Sequence, residues 1–425
     1  MITESVASGD ATTSGFTIRL KKGAGMRISA DHIFTGADSV EAGRLVIENG
    51  IIQEILAPGE SDLHLENTLL SCGWVNSHVH LDLSLPRDGD RVPGSFEDWL
   101  GSVVQSRRAL GEELKEISAK GIEESIAAGT TAVFDIDPEG HVLDAIQYSD
   151  LKRVIFREVI ALTREDDNSD AWIEFLNGTT DPRRELRALS PHSPYTVHPE
   201  ILNSLIQLSA KKRLPWAMHI AEAAWERELL DTGTGPGAKF LQRFGADPSE
   251  FVRKTNLLKS LGNPEKSSPG LIIHGNHCTT EEMAMIAESG SALVWCPSSH
   301  AYFNRPPHPA PQALSQGVPV LLGTDGQISA GHLSMLKEMN SAQKAAPTIP
   351  AIDLWRMVTT APREWLSGLG QSHLLGSGKL QAGDPADLVA VSVPQGSGGV
   401  LERALNGKIL GCWIDGRVKT WEAPE

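Results

Sequence analysis

The sequence predicts an α/β fold, a (β/α)8 TIM-type barrel with a small β-sandwich domain formed by both termini. Three observations lead to this prediction. Eight short apolar runs alternate with helical patterns in the middle of the chain, both ends are rich in short strand-like segments, and no Gly-rich phosphate-binding loop follows the first run. The length of 425 residues also suits one large domain with a smaller one.

The predicted barrel strands are apolar runs, each followed by a connection long enough for a helix. The runs cover residues 69–76, 131–136, 153–160, 186–190, 215–220, 271–275, 292–296 and 318–324. Ser95 and Asp98 form the start signal of the first long helix, at about Phe96. Eight such units favour a barrel with insertions, and an open doubly wound sheet of eight strands is the alternative.

The chain divides into three predicted parts. Residues 1–15 lack both a basic stretch and an apolar one, so we expect a flexible tail rather than a secretory signal. Residues 16–70 and 376–425 contain short strand-like segments separated by Gly, Asp and Asn, and we expect them to form one composite β-sandwich domain. Residues 71–375 make up the predicted barrel.

Composition and charge exclude several kinds of protein. The chain is 40% hydrophobic and 22% charged, which is typical of a globular protein. Its net charge of -16 disfavours nucleic acid and anionic membrane surfaces as partners, and no apolar run reaches the ~18 residues of a spanning helix. Cys72, Cys278, Cys296 and Cys412 form no CxxC pair, which favours buried thiols and a cytoplasmic location over a disulfide framework.

Polar residues at the predicted strand ends are candidate metal ligands. His78 and His80 follow the first run, His219 ends the fifth, His274 lies in the sixth and Asp325 ends the eighth. The carboxyl ends of barrel strands share one face, so these side chains would converge there. Each residue alone has an ordinary structural explanation, and only the joint pattern favours a metal site.

Three imidazoles and one carboxylate, with an open position for water, are typical of a hydrolytic metal site. We therefore expect one divalent metal ion as cofactor. Zn2+ is the default, because histidine and aspartate suit it, and Fe2+ or Mn2+ would use the same ligands.

Four motifs resemble the amidohydrolase superfamily: GWVNSHVHLDLS at 73–84, MHIAEA at 218–223, HGNH at 274–277 and LGTD at 322–325. Within it they are similar to the cytosine deaminase, chlorohydrolase and S-adenosylhomocysteine deaminase branch, over almost the whole chain. The resemblance implies a role for each of seven residues: His78, His80, His219 and Asp325 as metal ligands, Glu222 as proton shuttle, His274 with Asp325 as orienters of the water, and His192 as a substrate contact. The HxAE form implies a single metal ion, because dinuclear relatives need a lysine on the fourth strand that LRALSPHSP lacks.

The implied reaction is hydrolytic deamination of an aminated heterocycle, in which a ring C–NH2 becomes C=O and ammonia leaves. Residues 81–110 are most similar to the first lid of aminodeoxyfutalosine deaminases, whose substrates carry a benzoate. Arg107, Arg108, Arg157 and Arg305 are the candidate partners of that carboxylate. The resemblance also implies a homo-oligomer. The alternatives are hydrolysis of a C–Cl or amide bond at the same site, or a non-catalytic barrel that acts as an interaction scaffold.

The remaining polar residues receive less specific predictions. We expect Asp82 to bind a backbone group or a substrate hydroxyl, and His277 to lie in a loop or behind the ligands. The segment NRPPHPAP at 304–311 is predicted to be a rigid loop over the barrel mouth. Four further histidines are interpreted as surface or loop residues: His198, His300, His308 and His332.

Overall fold

The computed structural model describes residues 25–36, 40–90, 94–179, 181–252 and 268–422. The expected tail at 1–15 and the first residues of the predicted sandwich segment, 16–24, lie outside these residues. The described strands form two sheets, one from both ends of the chain and one from its middle. In chain order they are β1 Met26–Phe34, β2 Val40–Glu48, β3 Ile51–Leu56, β4 Leu63–Cys72, β5 Trp74–His80, β6 Thr130–Asp137, β7 Lys152–Val159, β8 Glu185–Pro191, β9 Trp216–Ile220, β10 Gly270–His274, β11 Ala292–Trp295, β12 Val320–Leu322, β13 Asp325–Gly326, β14 Leu388–Ser392, β15 Ile409–Ile414 and β16 Arg417–Trp421.

The middle sheet is parallel throughout and closes into a barrel. Strands β5 to β12 follow one another in chain order around it. Leu321 of β12 pairs with Val294 of β11, and four residues later Asp325 of β13 pairs with Val79 of β5. The last strand therefore returns to the first, which confirms the barrel and excludes the open sheet. Gly323 allows the chain to pass close to β5, because a Cβ there would lie 2.8 Å from the His78 backbone.

The predicted first run combines parts of two strands. Residues 69–72 belong to β4 of the terminal sheet, and β5 begins after Gly73 and includes both histidines of the HxH pair. A Cβ on Gly73 would lie 2.2 Å from Thr131 Oγ1, so the chain passes between the sheets where a side chain has no room. Both strand segments are buried, and the apolar pattern alone therefore did not reveal the break.

The second sheet joins the two ends of the chain, as expected. Its strand order is β16-β15-β14-β4-β1-β2-β3, with Leu388 of β14 paired antiparallel to Cys72 of β4. Lys152, at the start of β7 in the barrel, donates to Asp387 next to β14 at 2.7 Å and fixes the sheet against the barrel. The residue ranges of the two domains stay a prediction.

Helices follow most barrel strands, and the first begins where the sequence predicts. Ser95 Oγ accepts a hydrogen bond from the Asp98 backbone N–H at the start of the helix Phe96–Leu110. Among the described residues, no helix is both long and apolar enough to cross a bilayer. The other α-helices are Glu113–Ala127, His141–Ile146, Ser169–Asn177, Pro199–Lys212, Trp225–Thr232, Pro236–Arg243, Thr280–Glu288, Pro297–Tyr302, Ala310–Ser315, Gln327–Ala330, Met335–Ala345, Ala351–Val358, Thr360–Gly368, Ser372–Leu375 and Val400–Ala404.

Candidate metal centre and active site

The five strand-end residues converge at the carboxyl end of the barrel. The ligand atoms of His78, His80 and His219 lie within 4.8 Å of one another, as do those of His78, His274 and Asp325. The Nε2 atoms of His80 and His219 are 3.4 Å apart. Asp325 Oδ1 lies 3.5 Å from His78 Nε2 and 3.8 Å from His80 Nε2.

These separations fit one divalent cation. Ligand atoms at about 2.0–2.2 Å from a tetrahedral ion lie about 3.3–3.6 Å from one another. His78 is fully buried, and neither of its ring nitrogens has a hydrogen-bond partner within the described ranges. A buried imidazole without a partner is costly in the protein alone and is satisfied by a metal ion. The donor set of three imidazoles and one carboxylate is that of a divalent metal site.

Two of the histidines, His80 and His219, are held in the neutral form that a metal requires. His219 Nδ1 lies 2.8 Å from the His192 carbonyl, to which it donates, and its Nε2 is thereby left for the centre. Burial lowers the pKa of His80 and the pKa of His219 well below their usual value. Both rings are therefore uncharged near neutral pH.

Asp325 is oriented by two hydroxyl groups. Ser299 and Ser329 each donate to Asp325 Oδ2 at 2.8 Å, so that Oδ1 points towards the histidines. Burial alone would raise the pKa of Asp325, but contact with His78 and the nearby His274 hold that pKa well below its usual range. The carboxylate is therefore charged and has one oxygen available to a cation.

The backbone is strained at three strand ends that border the site. Ala221, His274 and Asp325 have φ values of 51°, 67° and 63°, in the left-handed region that residues other than glycine rarely adopt. Such conformations cost free energy and are typical of functional sites. His274 is the last residue of β10 and Asp325 the first residue of β13, and both side chains belong to the ligand cluster.

Glu222 lies beside the ligand cluster without belonging to it. Its Oε2 is 3.8 Å from His274 Nε2, and its Oε1 is 3.5 Å from Arg305 Nη2. Burial raises the pKa of Glu222 to about 8, and the Arg305 cation counteracts part of that rise. A carboxyl whose pKa is close to neutrality is suited to proton transfer.

Arg305 connects Glu222 to the lid of the site. Its guanidinium lies 4.6 Å from the ring centre of Phe96, the first residue of the helix Phe96–Leu110, which we call the lid helix. It lies 5.1 Å from the ring centre of Phe303. The following loop lies over the barrel mouth, as predicted, because His308 Nε2 donates to the His274 carbonyl at 2.8 Å. Arg305 thus joins the lid helix, this loop and the candidate proton shuttle.

Asp82 binds a side chain rather than the expected backbone group, and its expected contact with a substrate hydroxyl stays a prediction. Its carboxylate forms two bonds with Arg107, from Nε at 2.7 Å and Nη2 at 3.2 Å, because the lid helix carries Arg107 across the barrel mouth. Arg107 Nη2 is also 3.2 Å from His80 Nδ1, and its Nη1 is 3.8 Å from Glu158 Oε2. Arg107 is thus paired with Asp82 and contacts His80 at Nδ1, the ring nitrogen that does not face His219.

The other two candidate arginines lie away from the ligand cluster. Arg108 is exposed on the lid helix. Arg157 donates to the Pro138 carbonyl at 3.2 Å, and its guanidinium lies 4.8 Å from the ring centre of Phe175. Arg305 is therefore the candidate that contacts the proposed proton shuttle.

Three of the four remaining histidines are buried. His198, His308 and His332 lie in loops, as expected, whereas His300 lies in the helix Pro297–Tyr302, so its interpretation as a surface or loop residue is wrong. His198 accepts from the Glu200 N–H at the start of a helix, and His308 supports His274. His300 is buried beside Arg305, and its Nε2 has no hydrogen-bond partner in the described part of the chain. The loops at this end fold over the barrel and bury them. The fourth, His332, is half-buried and lies 3.2 Å from Ser298 Oγ, and His277 is also half-buried.

Sequence reasoning missed several residues of the site. Asp135 and Glu158 lie near the carboxyl ends of the second and third barrel strands. The search for polar residues at strand ends that identified His219 would also have identified them. Ser299 and Ser329 come from two separate helices, and no local pattern marks a serine that orients a distant carboxylate.

A parallel barrel whose strand ends bring three imidazoles and a carboxylate together is the framework of a metal-dependent hydrolase. The chain belongs to the amidohydrolase family, whose model matches residues 69–419. The family resemblance seen in the motifs is therefore confirmed, and the chain is an enzyme of the class that hydrolyses carbon–nitrogen bonds.

Three similar proteins illustrate the relationship. The aminodeoxyfutalosine deaminase of a Nitratiruptor species is 28% identical over 348 residues, 80% of this chain and 82% of the relative. The 5-methylthioadenosine/S-adenosylhomocysteine deaminase of Syntrophomonas wolfei is 27% identical over 394 residues, 87% of this chain and 86% of the relative. A crystal structure of Helicobacter pylori aminofutalosine deaminase in complex with methylthio-coformycin superposes with a TM-score of 0.78 at 21% identity, covering 92% of this chain and 99% of that one.

Proposed function

We propose that this chain catalyses the metal-dependent hydrolytic deamination of a nucleoside-like aminated heterocycle and releases ammonia. The observation that carries this proposal is the position of Glu222, a buried carboxyl 3.8 Å from His274 at the edge of the ligand cluster. The names of the two deaminase relatives support the choice of a nucleoside-like substrate. Aminodeoxyfutalosine is the first specific substrate to test.

The proposed metal ligands are His78, His80, His219 and Asp325, and the proposed ion is Zn2+, which suits imidazole and carboxylate donors. A divalent cation held there supplies Lewis acidity, which lowers the pKa of water towards neutrality. These four residues must be neutral imidazoles and a charged carboxylate to hold it. The burial of the rings and the two hydroxyl bonds to Asp325 support that state.

The reaction requires both protons of the water to move to the substrate, one to a ring nitrogen and one to the leaving amino group. In the proposed mechanism Glu222 accepts one proton of the attacking water and donates it to a ring nitrogen beside the reacting carbon. His274 and Asp325 orient the water, and His192 contacts the substrate. When the carbon–nitrogen bond breaks, the amino group takes up a proton through the same residues and leaves as ammonia, while the carbon becomes C=O.

Ammonia release from a panel of substrates tests this proposal. The panel contains aminodeoxyfutalosine, adenosine, 5′-deoxyadenosine and S-adenosylhomocysteine, together with free bases and aminated triazines. We expect ammonia from at least one nucleoside. Chloride release from chlorinated triazines without ammonia would favour the C–Cl alternative, and a purified chain that binds no metal would favour the scaffold.

We also propose a cytoplasmic location. All four cysteines are buried and unpaired, which agrees with a reducing compartment. Fractionation of the native host, with the chain detected by antibody, would test this proposal.

A further inference from the structure

Glu158 is a buried carboxylate at the carboxyl end of β7, and the proposed reaction does not use it. Its side chain is 2% exposed, and its Oε2 lies 3.8 Å from Arg107 Nη1. Its Oε1 is buried and has no hydrogen-bond partner in the described residues. A buried acceptor without a partner destabilises a fold, so this oxygen normally meets a donor from outside the chain.

The free oxygen faces the active site. The ligand atoms of Glu158, His192 and His219 lie within 4.8 Å of one another. Glu158 Oε1 is 4.0 Å from His192 Nε2, which is too long for a hydrogen bond. His192 is held from behind, with its Nδ1 2.8 Å from Thr196 Oγ1. Glu158 Oε1 and His192 Nε2 are therefore two neighbouring polar atoms beside the ligand cluster that do not bond to each other.

The position of Glu158 relative to Glu222 indicates which part of a substrate reaches it. In the barrel, β7 and β8 lie on one side of β9, which carries His219, and β10 with His274 lies on the other. Glu158 belongs to the first side and Glu222 contacts the second. A heterocycle with a ring nitrogen at Glu222 extends its opposite side towards Glu158.

Charge and hydrogen bonding select the kind of group. Arg107 already stands beside Glu158, so a second cation is not required. A hydroxyl both donates to a carboxylate and accepts from an imidazole N–H, which matches the two free atoms. We propose that Glu158 and His192 form a subsite for a hydroxyl of the substrate's sugar. This inference rests on the proposed function, because it takes the substrate to be a nucleoside.

Sugar discrimination tests the subsite. The experiment measures kcat/KM for adenosine, 2′-deoxyadenosine and 3′-deoxyadenosine in the wild type and in Glu158→Gln. A hydrogen bond to a charged group corresponds to roughly 10- to 100-fold in kcat/KM, so the wild type should prefer adenosine over one deoxy analogue by that factor. Glu158→Gln should reduce the preference to less than about threefold. Calorimetric binding of inosine and its deoxy analogues gives the same ratio without turnover.

Two further variants control for folding. Glu185→Gln replaces a buried carboxylate at the other end of the neighbouring strand and should keep the wild-type preference. His192→Asn removes the second half of the subsite and should reduce the preference as Glu158→Gln does, should the latter fail to fold.

The outcomes separate the subsite from the reaction. An equal fall for all three nucleosides, with an unchanged ratio, would overturn the subsite, and so would loss of the metal from Glu158→Gln. If no nucleoside releases ammonia but inosine binds more tightly than a deoxy analogue in the wild type only, the proposed reaction fails and the subsite stands. If the wild type shows no preference in turnover or in binding, the subsite is wrong.

Discussion

The two ends of the barrel differ in whether their buried polar groups have partners. At the amino end, Arg153 donates to Glu185 Oε2 at 2.9 Å, and Arg187 donates to Glu185 Oε1 at 2.8 Å. Lys152 next to them lies 2.7 Å from Asp387 Oδ2. Both carboxylates at this end of the barrel therefore have cationic partners.

At the carboxyl end, the ion pair of Asp82 with Arg107 is accompanied by several buried polar atoms that lack a partner. Both ring nitrogens of His78, Oε1 of Glu158 and Oδ2 of Asp135 are buried without a hydrogen bond to any described residue. Unpaired buried polar atoms destabilise a fold, and those that lie beside the ligand cluster are available to a ligand. Substitutions should therefore reduce stability at the amino end and activity at the carboxyl end.

The largest expected effect is that of Glu222→Gln. The variant keeps the shape of the side chain and removes the proton-transfer group, so kcat should fall by about 10²–10⁴-fold. Metal content by mass spectrometry and the melting temperature should stay at wild-type values, with His219→Ala as the control that loses metal. Near-normal ammonia release with full metal would mean that Glu222 does not shuttle the proton.

At the amino end, Glu185→Gln should lower the free energy of unfolding by about 3–5 kcal/mol, because it leaves buried Arg153 and half-buried Arg187 without their carboxylate. The kcat of the folded variant should equal that of the wild type. Denaturant unfolding and kcat at a temperature well below the transition measure the two quantities. A large loss of kcat at unchanged stability would remove the contrast between the two ends.

Removing the hydroxyls that orient Asp325 should have a smaller effect. The double substitution Ser299→Ala with Ser329→Ala should weaken metal binding by about 10–100-fold, because residues behind metal ligands contribute on that scale. Competition with a chelator measures the affinity. Ser334→Ala removes another serine hydroxyl, that of a helix start away from the site, and should leave metal affinity unchanged. Equal affinities in all variants would show that the two hydroxyls do not orient Asp325.

The smallest expected effect is a shift in the pH profile. Arg305 holds the pKa of Glu222 down against the effect of burial, so Arg305→Met should raise that pKa further above its ordinary value. The mechanism needs the carboxylate, and the rise of kcat/KM with pH should therefore move to higher pH. Arg305→Lys keeps the positive charge and should move it less. A shift to lower pH would contradict the assigned contact.

Much of the site could be predicted because it follows from strand ends. His219 and Asp325 each end an apolar run, and parallel strands in a barrel must bring such ends together. The start of the lid helix at Ser95 could be predicted for the same reason, because it depends only on neighbouring residues. What these predictions share is that a few neighbouring residues determine them.

The rest depends on contacts between distant segments. The pair of Asp82 with Arg107 forms because the lid helix folds back over the mouth, and no spacing along the chain encodes that crossing. The break at Gly73 was hidden, since both strands that it separates are buried. The burial of His308 and His300 likewise depends on how the mouth loops pack.

The most direct test of the account couples metal content to ammonia release. The purified chain is stripped with a chelator, Zn2+ is added back in steps, and ammonia from the best nucleoside is measured at each step. Activity should be absent in the stripped chain and rise linearly to a maximum at about one ion per chain, the stoichiometry of a single mononuclear site. Full deaminase activity in the metal-free chain, or a maximum at two ions per chain, would contradict the account.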